Sequence, residues 1–288
     1  MRPPDPQHTA RDRLVEDLPV NERRIDVDGT ATAVLEGGHG PPLLLIHGGT
    51  QAGALLWWRV LPELCTRYCV VAPDLPGLGA SEPTDILDAD GFARWLGRLV
   101  DVTCDEAPTL IAHSTPAALA ARFAARHSRL VRRLVLVDAT GLGPFRPSPA
   151  FVWAALRFTI RPSRRSLERF NRWPYLDANR TRIHDPDVYE AIDDYLIARA
   201  SIPHVKRTMR QLIKAGTTQI PDAELQRIDV PTALVWGRHD RMAPLDYAQP
   251  LSTRLGWPMT IIDDAGHLPH VEQPDAFAAA LTDTTTGA

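Results

Sequence analysis

Lysine is nearly missing from this 288-residue chain: of its 32 basic side chains only Lys206 and Lys214 are lysine, and the rest are arginine. Cysteine is scarce too. Cys65, Cys69 and Cys104 are an odd number in a long chain, which points to reduced thiols and a cytoplasmic location rather than a disulfide framework. No run of eighteen or more apolar residues occurs, so a membrane-spanning helix is excluded and no membrane partner is expected. The N-terminal stretch MRPPDPQHTARDRLVEDL carries proline and mixed charge where a secretory leader needs an apolar run. The net charge is only −3, with no basic excess to grip nucleic acid and too little charge for wholesale disorder. Repeats and low-complexity segments are absent, and no motif bears on oligomeric state.

What is present is a large apolar fraction, 44%, in a chain long enough to bury about three quarters of its unfolded surface. Residues 1–20 read as a loose lead-in. Asn21–Val27 and Thr30–Leu35 read as strands joined by a tight Asp28-Gly29 turn. Pro42–Ile46, Tyr68–Ala72, Pro108–Ala112, Leu134–Val137, Thr232–Trp236 and Met259–Ile262 are short apolar runs, the signature of strands covered on both faces. Helical patterns separate them: Ala54–Leu64, the Phe92, Trp95, Leu96, Leu99 stripe, Ala117–His127, Leu245–Leu255 and a last helix around Ala276–Leu281. From 142 to 228 no buried strand is evident; the stretch is arginine-rich and helical, with Asp185-Pro186 starting one helix. The expected fold is α/β, a mostly parallel sheet with helices on both faces, its core at 21–141 and 229–288, and a helical insertion at 142–228. Such an insertion sits over the carboxyl ends of the strands, where open parallel sheets bind ligands.

Three segments at strand ends carry the chemistry. In Leu110-Ile-Ala-His-Ser-Thr-Pro, Ser114 follows a strand and opens a helix, which aims its hydroxyl across a helix N-terminus; alone, it could equally be a helix cap. Asp240 follows one strand in Trp236-Gly-Arg-His-Asp, and His267 follows the next in Asp263-Asp-Ala-Gly-His. A serine hydroxyl attacks only when a base takes its proton, and a carboxylate orients and stabilises the imidazole that does so. Asp138, at the end of Leu134–Val137, is a rival for the acid. Leu45-Ile-His-Gly-Gly brings glycines to another strand end, so Gly49 and Thr115 are the expected backbone N–H donors of an oxyanion hole.

These segments, with Pro73-Asp-Leu-Pro-Gly-Leu-Gly-Ala-Ser81 and Gly266-His-Leu-Pro-His-Val-Glu-Gln-Pro274, make the chain resemble the α/β-hydrolase superfamily from about Asn21 to Leu281. The resemblance implies an eight-stranded sheet, a helical cap after the sixth strand, and no metal or organic cofactor. It implies a Ser114, Asp240, His267 triad. One departure stands out: the family's Gly-x-Ser-x-Gly is Ala112-His-Ser-Thr-Pro116 here. Pro116 is acceptable in a first helical turn, where N–H groups lack partners, but it favours an extended Thr115, the expected oxyanion donor.

The expected activity is that of a cofactor-independent, carboxylesterase-like serine hydrolase acting on a small to medium, largely apolar ester or related acyl compound. Two alternatives stay open: a C–C bond hydrolase, lyase or cyclase using the same triad, and a small-molecule receptor without turnover. A serine nucleophile argues against haloalkane dehalogenase and epoxide hydrolase chemistry, whose relatives use aspartate. Gly77-Leu-Gly-Ala-Ser lacks the third glycine of a dinucleotide fingerprint and reads as a structural loop. His267 and His270 lack a third spaced ligand for a metal. His47 and His113 read as residues that shape the site, and Trp57, Trp58, Trp153 and Trp173 as packing residues.

Overall fold

The computed structural model of the protein describes residues 6–85 and 87–286. Residues 1–5 of the expected lead-in and 287–288 of the expected core lie outside them. Eight strands form one sheet: β1 (Asn21–Val27), β2 (Thr30–Gly37), β3 (Pro42–Ile46), β4 (Cys69–Pro73), β5 (Thr109–His113), β6 (Arg133–Val137), β7 (Thr232–Gly237) and β8 (Met259–Ile262). Their order is β1-β2-β4-β3-β5-β6-β7-β8, antiparallel at β1/β2 and β2/β4 and parallel from β4 onward. Asp28 and Gly29, at φ +53° and +76°, make the tight turn whose twist matches a hairpin.

The central strands alternate between two cores. Leu44, Ile46, Leu110, Ala112, Leu134, Leu136 and Leu234 pack on one face, and Leu43, Leu45, Ile111, Val135, Val137 and Val235 on the other. Helices α1 (Pro6–Glu16), α2 (Leu61–Leu64), α3 (Ala89–Thr103) and α4 (Ser114–Arg126) precede a stretch between β6 and β7 made of α5 (Pro149–Ile160), α6 (Arg164–Asn171), α7 (Ala178–Arg182), α8 (Pro186–Ala200), α9 (Pro203–Gly216) and α10 (Asp222–Leu225). After β7 come α11 (Leu245–Leu255), α12 (Pro269–Glu272) and α13 (Pro274–Thr286). Phe92, Leu96, Ala117, Ala121 and Leu251 cover the first face, and Leu61, Leu64, Phe277 and Leu281 the second.

Two expectations need correction. The lead-in contains a helix, α1, held by a guanidinium more than by an apolar stripe: buried Arg11 pairs with Glu22 Oε2 at 2.6 Å and Asp74 Oδ2 at 2.8 Å. The helix expected over Ala54–Leu64 is broken into a tight 3₁₀ stretch, Gly53–Trp57, and the short α2. Pro62 lies at the start of α2, where it can begin a helix but cannot continue one from upstream.

Candidate active site

The register of the parallel strands brings their carboxyl ends into one row. Ile46 is level with Ala112, His113 with Val137, Val137 with Val235, and Gly237 with Ile262. The residues that leave the sheet there are His47 to Gly49, Ser114, Asp138, Asp240 and His267.

β5 passes into α4 without a loop, and Ser114 absorbs the change of direction at φ +60°, a region that disfavours any side chain beyond glycine. Ser114 Oγ lies 2.7 Å from His267 Nε2, and His267 Nδ1 lies 2.7 Å from Asp240 Oδ2. All three side chains are buried. The Nδ1–H donates to Asp240, which leaves Nε2 as the acceptor of the serine proton. Asp240 Oδ1 takes the N–H groups of Met242 at 2.7 Å and Ala243 at 3.0 Å, so the carboxylate cannot rotate freely. The loops of acid and base approach at two glycines: a methyl group on Gly237 would lie 1.8 Å from the carbonyl oxygen of Gly266.

Asp138 does not hold the imidazole. Its Oδ1 accepts the Gly237 N–H at 2.9 Å, while Oδ2 meets no N–H or hydroxyl among the described residues. Burial first, then the charge of Asp240 and a hydrogen bond with it, push the Asp138 carboxyl well above the usual carboxylate range. Asp138, Asp240 and His267 each present a ligand-capable atom within 4.8 Å of the others. Both ring nitrogens of His267 and both oxygens of Asp240 are already engaged, so the set reads as a hydrogen-bonded line rather than an open cation site.

Thr115 and Gly49 face each other: a methyl on Gly49 would lie 3.9 Å from Thr115 Oγ1. Thr115 lies in the first turn of α4 ahead of Pro116, where its N–H has no helical partner. The Thr140 N–H donates to the Ser114 carbonyl at 3.3 Å. That carbonyl and the Thr115 N–H belong to one rigid peptide plane and point in opposite directions, so the contact fixes where the Thr115 N–H is aimed.

Neighbouring histidines hold the frame. His47 Nε2 accepts the Leu75 N–H at 2.9 Å, which leaves Nδ1–H to donate to the Gly48 carbonyl at 2.6 Å. His113 Nε2–H donates to the His267 carbonyl at 2.7 Å. Burial lowers the basicity of both rings, most strongly for His113.

A family description, "Alpha/beta hydrolase family", matches residues 43–280. The chain belongs to this family. It is 27% identical to the 2-hydroxy-6-oxo-6-(2′-aminophenyl)hexa-2,4-dienoic acid hydrolase of Metapseudomonas resinovorans, over 90% of this chain and 89% of that one. It is 26% identical to the pimeloyl-[acyl-carrier protein] methyl ester esterase of Chromobacterium violaceum, over 85% and 94%. A carboxylesterase structure from Bacillus subtilis covers 98% of each chain at TM-score 0.82 and 21% identity, a likeness of fold.

In this alpha/beta hydrolase the helices between β6 and β7 contact the site loops directly. Met209 of α9 lies against Gly49, and Gly216 at its end lies so close to Thr115 that a methyl there would come within 2.2 Å of the Thr115 carbonyl oxygen. Glu272 was not singled out from the sequence. Its Oε2 accepts the Gly266 N–H at 2.7 Å, and its Oε1 accepts those of Leu176 at 2.7 Å and Asp177 at 3.3 Å. The His267 N–H donates to the Pro174 carbonyl at 2.7 Å. The acidic position in Gly266-His-Leu-Pro-His-Val-Glu was the available signal. A cavity of about 150 Å³ lies between the loop after β6, α5 and the loop after β7, walled by Thr140, Phe145, Phe151, Trp173, Met242 and Tyr247 among others; Ser114 and His267 do not line it.

Proposed function

We propose that the protein is a serine hydrolase acting on a small to medium, largely apolar ester or related acyl compound. Ser114 attacks the carbonyl carbon, His267 Nε2 takes the serine proton and returns it to the leaving group, and Asp240 steadies the imidazolium. The N–H groups of Gly49 and Thr115 hold the oxyanion, and a water activated by His267 then releases the acid. The observation that carries this reading is the unbroken Asp240–His267–Ser114 line at 2.7 Å per link, with the serine on a strained turn.

A second reading is hydrolysis of a C–C bond in a diketone-like substrate by the same residues. The likeness to the Metapseudomonas hydrolase favours it, because the substrate in that enzyme's name carries an oxo group and no ester. The test is turnover of p-nitrophenyl esters of graded chain length alongside a diketone, with fluorophosphonate labelling of wild type and Ser114→Ala. Turnover of the esters, with turnover and labelling both lost in Ser114→Ala, is the expected result. Turnover of the diketone alone selects the second reading. A wild-type protein that neither labels nor turns over any substrate points to a receptor.

A further inference from the structure

Helix α5 breaks the usual division of a surface helix into one apolar and one polar face. Its inner side buries Ala154 and Phe158 and carries Phe151 into the cavity wall. Its outer side is apolar as well. Val152, Trp153, Leu156 and Ile160 are 47, 66, 46 and 62% exposed. At 100° per residue, Trp153, Leu156 and Ile160 fall within about 60° of one another, opposite Phe151 and Phe158. With Val152 they are four of the six large apolar side chains exposed among the described residues. A surface helix normally turns a polar face to water; this one, polar only at Arg157 and Thr159, leaves the apolar face that carries its only tryptophan uncovered.

The surroundings of that face are cationic. From Ala139 to Leu167 the chain has five arginines (Arg146, Arg157, Arg161, Arg164 and Arg165) and no aspartate or glutamate. All five are exposed. Among the described residues only Arg164 of these has carboxylate partners, Glu190 at 2.9 Å and Asp194 at 2.8 Å. Arg157 lies on α5 beside the apolar stripe, and Arg161 caps the helix.

We infer that the outer face of α5 is a docking surface for an anionic lipid bilayer, with Trp153, Leu156 and Ile160 entering the headgroup boundary and the arginines pairing with lipid phosphates. An apolar stripe that includes tryptophan, with arginine beside it, is the composition of a helix that lies in the plane of a membrane interface. The lack of a membrane-spanning helix does not oppose this, because lying on a bilayer needs one exposed face and not a span. A second copy of the chain fits less well: a two-fold contact through this face sets the same arginine rim against itself.

This surface is independent of the proposed chemistry, and its test does not use turnover. The protein is mixed with vesicles of phosphatidylcholine containing about half phosphatidylglycerol, or of phosphatidylcholine alone, and binding is read by sedimentation. The expected result is binding to the anionic vesicles that weakens with added salt. Trp153→Gln with Ile160→Gln, and separately Arg157→Gln with Arg161→Gln, should each reduce binding about tenfold or more. These exposed positions leave fluorophosphonate labelling of Ser114 unchanged, which separates loss of docking from loss of the fold. Absence of binding to anionic vesicles overturns the inference, as does equal binding by the Trp153→Gln, Ile160→Gln protein. A concentration-dependent dimer that this variant abolishes, without vesicle binding, assigns the face to a second copy instead.

Discussion

Asp138 lies against Asp240 in a buried pair beneath the His267 ring, and only Asp240 reaches the imidazole. Burial and the Asp240 charge raise the folded-state pKa of Asp138. The folded protein therefore keeps a proton that the unfolded chain releases above about pH 4. The unfolded state then binds fewer protons, so this group's contribution to stability falls as pH rises from about 4 toward the raised folded pKa. Asp138→Asn keeps a neutral group able to accept from Gly237 and donate to Asp240. Its expected kcat is within about threefold of wild type, and its expected Tm at pH 7 is equal or higher, with a flatter decline as pH rises from about 4. Asp240→Asn should lower kcat by about 10⁴-fold, the loss known for a serine-protease triad with its acid neutralised. Equal losses in the two variants would remove the distinction between them.

His270 is fully buried against Trp57 and His113, with neither ring nitrogen hydrogen-bonded among the described residues, and burial pushes its pKa down to about 3. His47 and His113 are shifted in the same direction by the same cause. For a histidine held neutral by the fold, the unfolded chain binds more protons below about pH 6.5, so stability falls as pH drops from there toward the folded pKa. Urea unfolding at pH 7 and pH 5 should show a clear loss at the lower pH. His270→Phe, which keeps an aromatic ring and removes the unpaired nitrogens, should shrink that difference and add about 1 kcal/mol at pH 7. An unchanged pH dependence in the variant would assign the acid sensitivity elsewhere.

Adjacent glycines in the loop after β3 differ in what a methyl group meets. On Gly48 it would lie 2.4 Å from His113 Nδ1 and 3.2 Å from Ser114 Cβ, and His113 is pinned through its bond to His267. On Gly49 it meets nothing closer than Met209 Cε at 3.6 Å. Gly48→Ala should therefore lower kcat by about 100-fold or more through displaced catalytic groups, while Gly49→Ala, which retains its N–H, stays within about fivefold. Steady-state kinetics on one short p-nitrophenyl ester decides it; the reverse order of effects would refute the placement of the two residues.

Most of the strands were legible because six of the eight are short apolar runs, and Ser114, Asp240 and His267 each lie within five residues of the end of one. The Asp28-Gly29 hairpin was legible for the same local reason. Arg11 was not: its burial depends on Glu22 and on Asp74, far along the chain, and α1 shows no strong apolar period. Glu272 escaped notice because its three partners are backbone N–H groups, which leave no trace in side-chain identity. Trp153 was expected to pack, and instead it faces solvent. The apolar pattern of α5 has no polar gap to mark which side turns inward, so only the contacts of Phe151, Ala154 and Phe158 could set its rotation.

Glu272 and the bond from His267 to Pro174 join the loop bearing the imidazole to residues 174–177 of the helical insertion. A roof hinged independently of the machinery below could swing aside and leave the proton relay assembled. Here the two share a seam. Any displacement of residues 174–177 would pull on the loop that carries His267, which couples the position of that stretch to the direction of the imidazole.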